Sequence, residues 1–220
     1  MIAIKVLPVL YQNCPEFTGA AISAQTINTE HNAELWEILD SYCVEYKHTH
    51  SLENIKTNPA IKATRDIYKK LGKDPNRYRP SAEALCRRII RGLPLYRINT
   101  LVDIINLTSI KTGYSIGGFD ADKISGNVLT LDTGKDSDHF EAIGRGLLNI
   151  DGLPVYRDSA GGIGTPTSDN ERTKLALETQ NLLTIINAYD GKQNLEKSVE
   201  EMCSLLKRFA SAQDIIVSYF

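Results

Sequence analysis

Apolar residues recur at helical spacing early in the chain: Leu35, Ile38, Leu39, Tyr42, Cys43 and Tyr46 predict a helix over 31–46, and a second is predicted between Pro59 and Leu71. Ser81 precedes AEALCRRII as a candidate N-cap, Glu83 falls in the first turn where the helix dipole favours an acid, and Gly92 and Pro94 close the helix. The apolar stripe of that helix is Ala82, Leu85, Cys86, Ile89 and Ile90, which leaves Arg87, Arg88 and Arg91 on the other side. Asn99 caps a short buried helix, LVDIINLTSIKT, that Gly113 ends. Between 114 and 190 the runs ISGNVLTLDTG, HFEAIGRG, GLPVYRD, TKLALET and NLLTIINAY predict strands punctuated by turns. Leu195, Val199, Met202, Leu206 and Phe209 then restore helical spacing before a last strand, IIVSY. Strands mixed irregularly with helices predict an α+β fold. With no repeat and no long linker, the expected organisation is one domain over 1–220: a mainly helical part to residue 92, then a mixed-sheet core, 93–220, that carries the site.

Composition adds bounds. At 220 residues and 42% hydrophobic the chain can bury a sizeable core, and no stretch approaches the roughly 18 to 20 apolar residues of a membrane span. A soluble, cytoplasmic protein with no membrane association is expected. Cys14, Cys43, Cys86 and Cys203 are dispersed with no C-x-x-C pair, so buried free thiols are predicted rather than disulfides or a thiolate zinc site. His48 and His50 have no further ligands nearby, and neither metal nor cofactor is expected. The net charge of −2 conceals an asymmetry: residues 61–98 hold 11 Lys/Arg against three acids, a local +8 that leaves −10 elsewhere. Such a stripe attracts phosphates, and it makes Arg87, Arg88 and Arg91 candidate RNA contacts; the competing reading is a solvated helix face.

The chain lacks G-x-S-x-G, a P-loop and H-E-x-x-H. Its unusual stretch is RDSAGGIGTPTSDNERT, residues 157–173. Gly161, Gly162 and Gly164 allow backbone amides to approach a ligand, while Thr165, Thr167, Ser168, Asp169 and Asn170 crowd short polar side chains into one turn. A binding loop follows, with Asp169, Thr167 or Ser168 to orient a water and the amides of Gly162 and Gly164 to hold an oxyanion. The alternative is a glycine-rich turn in which Asp169 caps the backbone of Glu171 or Arg172. Glu178, inside the apolar run LALETQNLL, is read as a mid-strand carboxylate that either faces water or points into a cleft.

VDIINLTSIKTGYSIGGFDADKI, residues 102–124, resembles a segment of the B3/B4 domain of the phenylalanyl-tRNA synthetase β subunit and of its free-standing relatives, as do GGIGTPTSDNERT and the LALET run. The likeness covers roughly residues 80–190 and the helix and strand behind them. It implies an α+β domain that hydrolyses tyrosine wrongly esterified to tRNA, here acting in trans, with tRNA or aminoacyl-tRNA as partner. Asn106, Phe119 and Asp120 match the family's motif, and Glu178 stands where the family reads the tyrosine hydroxyl if the intervening loop is shortened. Ile105 and Gly117 replace the family's threonine and histidine, with Thr165, Thr167, Ser168 and Asp169 as candidate replacements. Two other readings compete with editing: a non-catalytic module that binds tRNA or an amino acid, and a hydrolase of a small amino-acid ester or amide.

Overall fold

The computed structural model describes residues 2–220. The chain opens with β1 (Ala3–Val6), α1 (Pro8–Asn13) and β2 (Thr18–Gln25), then runs through four helices, α2 (Ala33–Thr49), α3 (Leu52–Ile55), α4 (Pro59–Lys70) and α5 (Ser81–Ile90). After α6 (Thr100–Thr112) come β3 (Ile116–Asp120), β4 (Val128–Thr133) and a minimal ribbon of β5 (Glu141–Ala142) and β6 (Gly146–Leu147). The remainder is β7 (Pro154–Asp158), β8 (Gly161–Gly164), β9 (Asn181–Ala188), α7 (Leu195–Ala210) and β10 (Gln213–Tyr219). The strands form two four-stranded sheets, ordered β1-β4-β7-β8 and β10-β2-β9-β3.

The alternation along β9 shows how the layers stack. Leu182, Ile186 and Ala188 join the cluster containing Leu35, Leu101, Leu107 and Met202 of α2, α6 and α7, whereas Leu183 and Ile185 join Leu129, Leu131, Val155 and Ile163 of the other sheet. One sheet is thus covered on one face by helices and on the other by its partner sheet, which is why β9 reads as a continuous apolar run. The result is an α+β fold. Helix α6 is enclosed nearly all round, with Leu101, Ile104, Leu107 and Ile110 buried. Its ends are local: the Asn99 side chain accepts from the Val102 amide at 3.0 Å, and Gly113 takes the left-handed conformation at φ 83°.

Before residue 92 helices dominate, and two strands join them: β1 pairs parallel with β4, and β2 sits between β9 and β10. Two local expectations are corrected. The TKLALET run is not a strand. Glu171–Thr173 make one 3-10 turn, and the Thr179 hydroxyl accepts from the Ala176 amide at 2.9 Å while the Thr179 amide donates to the Ala176 carbonyl, so the apparent alternation belongs to a turn. Glu178 lies in that turn and is exposed. Finally, Ser81 is the first residue of α5 rather than its cap; Pro80 holds the cap position, without a side-chain hydrogen bond.

Candidate functional site

Helix α6 presents Val102, Ile105, Asn106 and Ser109 at steps of three and four residues to one cavity of about 410 Å³. Ser81 and Leu85 of α5 and Ile116 and Gly118 of β3 add further walls, and Ile98, Ile143, Lys174 and Leu175 join them. Thr165, Ser168 and Asp169 complete it from the turn after β8. The wall is mostly aliphatic with a few convergent polar groups, the usual make-up of a small-molecule site.

Asp169 is seated by glycine. Its Oδ2 accepts from the Gly118 amide at 3.2 Å, and its Oδ1 lies 2.7 Å from where a Cβ on Gly164 would stand and 3.6 Å from one on Gly117. A side chain at Gly164 would therefore displace the carboxyl. Burial pushes its pKa up to about 7, against the smaller opposing pull of the Gly118 hydrogen bond. Capping of the next turn falls instead to Asn170, whose Oδ1 accepts from the Arg172 amide at 2.9 Å. This leaves Asp169 to the cavity.

The other residues singled out in the sequence separate into two groups. Asn106, Thr165, Ser168 and Asp169 share the cavity, but the Thr165 hydroxyl is occupied: it donates to the Ser168 carbonyl and accepts from the amides of Thr167 and Ser168. Thr167 is buried outside the cavity, its hydroxyl within 2.9 Å of the Tyr68 hydroxyl and donating to the Tyr78 carbonyl at 3.2 Å. Gly162 and Gly164 lie in β8, opposite Arg157 and Tyr156, so they belong to a sheet rather than an open amide loop. Gly117 sits beneath the Asp169 carboxyl. Glu178 borders a separate depression with Gln25, Asn28 and Gln180. Phe119 is buried, and Asp120 accepts from Thr179 at 3.0 Å and caps the turn at Asp122. Among the described residues, the Asn106 carboxamide makes no hydrogen bond.

Beside the cavity runs a groove of about 420 Å³ that shares Ser81, Leu85 and Asn106 with it and is lined by Arg79, Arg87, Arg88, Arg91 and Arg145. These cations are not equivalent. Arg79 and Arg87 approach Glu83, a fully buried carboxylate on α5, at 3.5 and 3.7 Å, and Arg65 binds its other oxygen at 2.7 Å. Arg65 also donates to the Pro75 carbonyl and to Asn76 Oδ1. Glu83 thus gathers three guanidinium groups, a role beyond its favourable place in the first turn. Arg88 lies over the Tyr96 ring, 4.0 Å from its centroid, and Arg91 is exposed at the end of α5. Arg145, Tyr96 and Ser109 were not anticipated. Only Ser109 carried a readable signal, three residues from Asn106 on a helix.

A sequence model for the B3/4 domain matches residues 63–210. No match is found among curated proteins. Among solved structures, the chain is similar to the crystal structure of an N-terminal fragment of the phenylalanyl-tRNA synthetase β-subunit from Pyrococcus horikoshii, at 12% sequence identity and a TM-score of 0.49. That alignment covers 98% of this chain and 50% of the fragment, so the chain spans about half the fragment's length.

Proposed function

Because this chain belongs to the B3/4 domain family, we propose that it holds the aminoacyl end of a tRNA across groove and cavity and hydrolyses the ester there. The observation that carries this reading is the continuity of the two spaces: the arginine-lined groove and the cavity containing Asp169 meet at Ser81, Leu85 and Asn106. Phosphates lie in the groove, and the aminoacyl group enters the cavity. An aminoacyl ester is already activated, so its hydrolysis needs an oriented water and a stabilised oxyanion rather than a side-chain nucleophile. Asp169 takes a proton from water as the water oxygen adds to the carbonyl carbon. The free carboxamide of Asn106 is the first candidate donor to the oxyanion; the Ser168 hydroxyl, which donates to the Asp169 carbonyl at 3.4 Å, is the second and must turn to reach it. Collapse breaks the bond to the ribose oxygen, which receives the proton from Asp169; the products are a free amino acid and a tRNA with its terminal hydroxyl restored. Glu178 takes no part, and the cavity wall favours an apolar side chain over the phenol that the resemblance implies.

The base must be ionised, so a carboxyl with its pKa at about 7 dictates the pH profile. Deacylation of a panel of mischarged tRNAs, corrected for spontaneous hydrolysis, is expected to rise about tenfold per pH unit below 7 and to level off above about 8. A flat profile from pH 5.5 to 8 removes Asp169 as the base. No turnover with any aminoacyl group, alongside retained tRNA binding, would leave a binding module.

The groove yields a separate expectation. Replacing Arg88, Arg91 and Arg145 together with Gln weakens tRNA binding and flattens its dependence on log salt by roughly two to three units, at about 0.7 to 0.9 per phosphate contact. Arg87 is left in place because it is tied to Glu83. Anisotropy titrations across a KCl series measure the slope; an unchanged slope means that the groove holds no phosphates.

A further inference from the structure

Three large apolar side chains stand exposed in the short segment joining α5 to α6: Leu93 at 47%, Tyr96 at 66% and Ile98 at 53%. The segment is nonetheless fixed. The Gly92 amide donates to the Ile89 carbonyl, the Leu93 amide to the Arg88 carbonyl, and the Arg88 Nε to the Pro94 carbonyl. Arg88 is thereby held with its guanidinium over one face of the Tyr96 ring. Tyr96 itself borders the groove with Arg91 and Arg145. Arg145 comes from the turn between β5 and β6, flanked by Gly144 and by Gly146 at the start of β6, which both take positive φ, 66° and 69°. A protein partner would cover the exposed Leu93 and Ile98; what marks this place is an aromatic ring, clamped by a cation, inside a concentration of positive charge. That combination of a π-face with a cationic track is how single-stranded nucleic acid is held.

We infer that Tyr96, backed by Arg88, is a stacking platform for one nucleobase of the unpaired end of the RNA, resting on the tRNA reading of the groove. Arg88 then acts twice, contributing charge to the groove and stiffening the ring that receives the base. Stacking on one face positions the terminal nucleotides at the junction near Asn106, the point at which the ester must turn from groove to cavity. Sequence preference is weak in such an arrangement, since every base offers a π-face.

The test uses the whole protein and two short fluorescent RNAs, a single strand ending in CCA and its abasic counterpart with the same phosphates. The CCA strand is expected to bind more tightly than the abasic one, and Tyr96→Ala to weaken its binding roughly 5- to 150-fold, the range that one stacked base commands. Tyr96→Phe keeps the aromatic face and is expected to bind as the wild type does. The salt slope stays the same in all three proteins, because no phosphate contact is lost. If Tyr96→Ala binds the CCA strand as tightly as the wild type, the platform is overturned while the groove's affinity for RNA stands. If the wild type binds neither strand, the tRNA reading falls and the platform with it.

Discussion

Asp169→Asn is expected to lower turnover of the mischarged tRNA by a factor of about 10² to 10⁴ with little change in binding, the signature of a group that acts in the transition state. The same substitution should stabilise the fold at alkaline pH. The native pKa of about 7 lies above the roughly 3.9 of an unfolded aspartate, so between these values the native state binds more protons, and stability falls as pH rises. By pH 8 the native protein holds an ionised carboxylate in a site that disfavours it, and the neutral amide removes that cost. The difference would amount to about 4 kcal/mol at most, and because Asp169 keeps partial contact with solvent about 2 kcal/mol is the expectation at pH 8, or roughly 4 to 8 °C in Tm. At pH 4 the two proteins should melt together. A variant that loses activity yet melts like the wild type at pH 8 would mean that Asp169 is well solvated; one that keeps full activity would exclude it from the chemistry.

The second large effect concerns Glu83. Its carboxylate is fully buried and faces Arg65, Arg79 and Arg87. Glu83→Ala strands Arg65, whose side chain is itself buried, as an uncompensated cation, and breaking a buried pair in this way costs about 3 to 5 kcal/mol. Against a total stability of about 5 to 15 kcal/mol, that approaches unfolding for a protein of middling stability. Urea unfolding monitored by circular dichroism checks it. A loss below about 1 kcal/mol would show that the three arginines turn to solvent when the carboxylate is gone. Since Arg87 also borders the groove, the variant should bind tRNA less tightly even where it remains folded.

Elements with local signals were legible in the sequence. The cap at Asn99, the left-handed Gly113 and the apolar spacing of α6 are written within fifteen residues, and α4, α7 and β9 are similarly self-contained. β2 was not legible, because Gly19, Ala20, Ala21 and Ala24 give a central strand little apolar bulk; Phe220 packs so near Gly19 that a Cβ there would lie 2.4 Å from its ring. The turn around Glu178 imitated a strand because Leu175 and Leu177 fall on alternate residues. In the site, the crowd of polar residues after Gly164 singles out Asp169 as a candidate to orient a water, and the structure lines a cavity with it; its seat, however, depends on β3, some 50 residues earlier, and no local signal assigns the cap to Asn170 rather than Asp169. Arg65 and Glu83 stand 18 residues apart, and nothing in either neighbourhood announces the other.

The place of β2 bears on how the protein is made. Residues 18–25 are hydrogen-bonded to residues 181–188 on one side and to residues 213–219 on the other. During synthesis β2 waits for partners more than 150 residues further along, so its sheet closes only after residues 181–219 have left the ribosome. Closing so long a loop costs conformational entropy before any pairing rewards it, and folding dominated by such distant contacts is slow. In that interval the small side chains of β2 limit how strongly the waiting segment associates with other nascent chains.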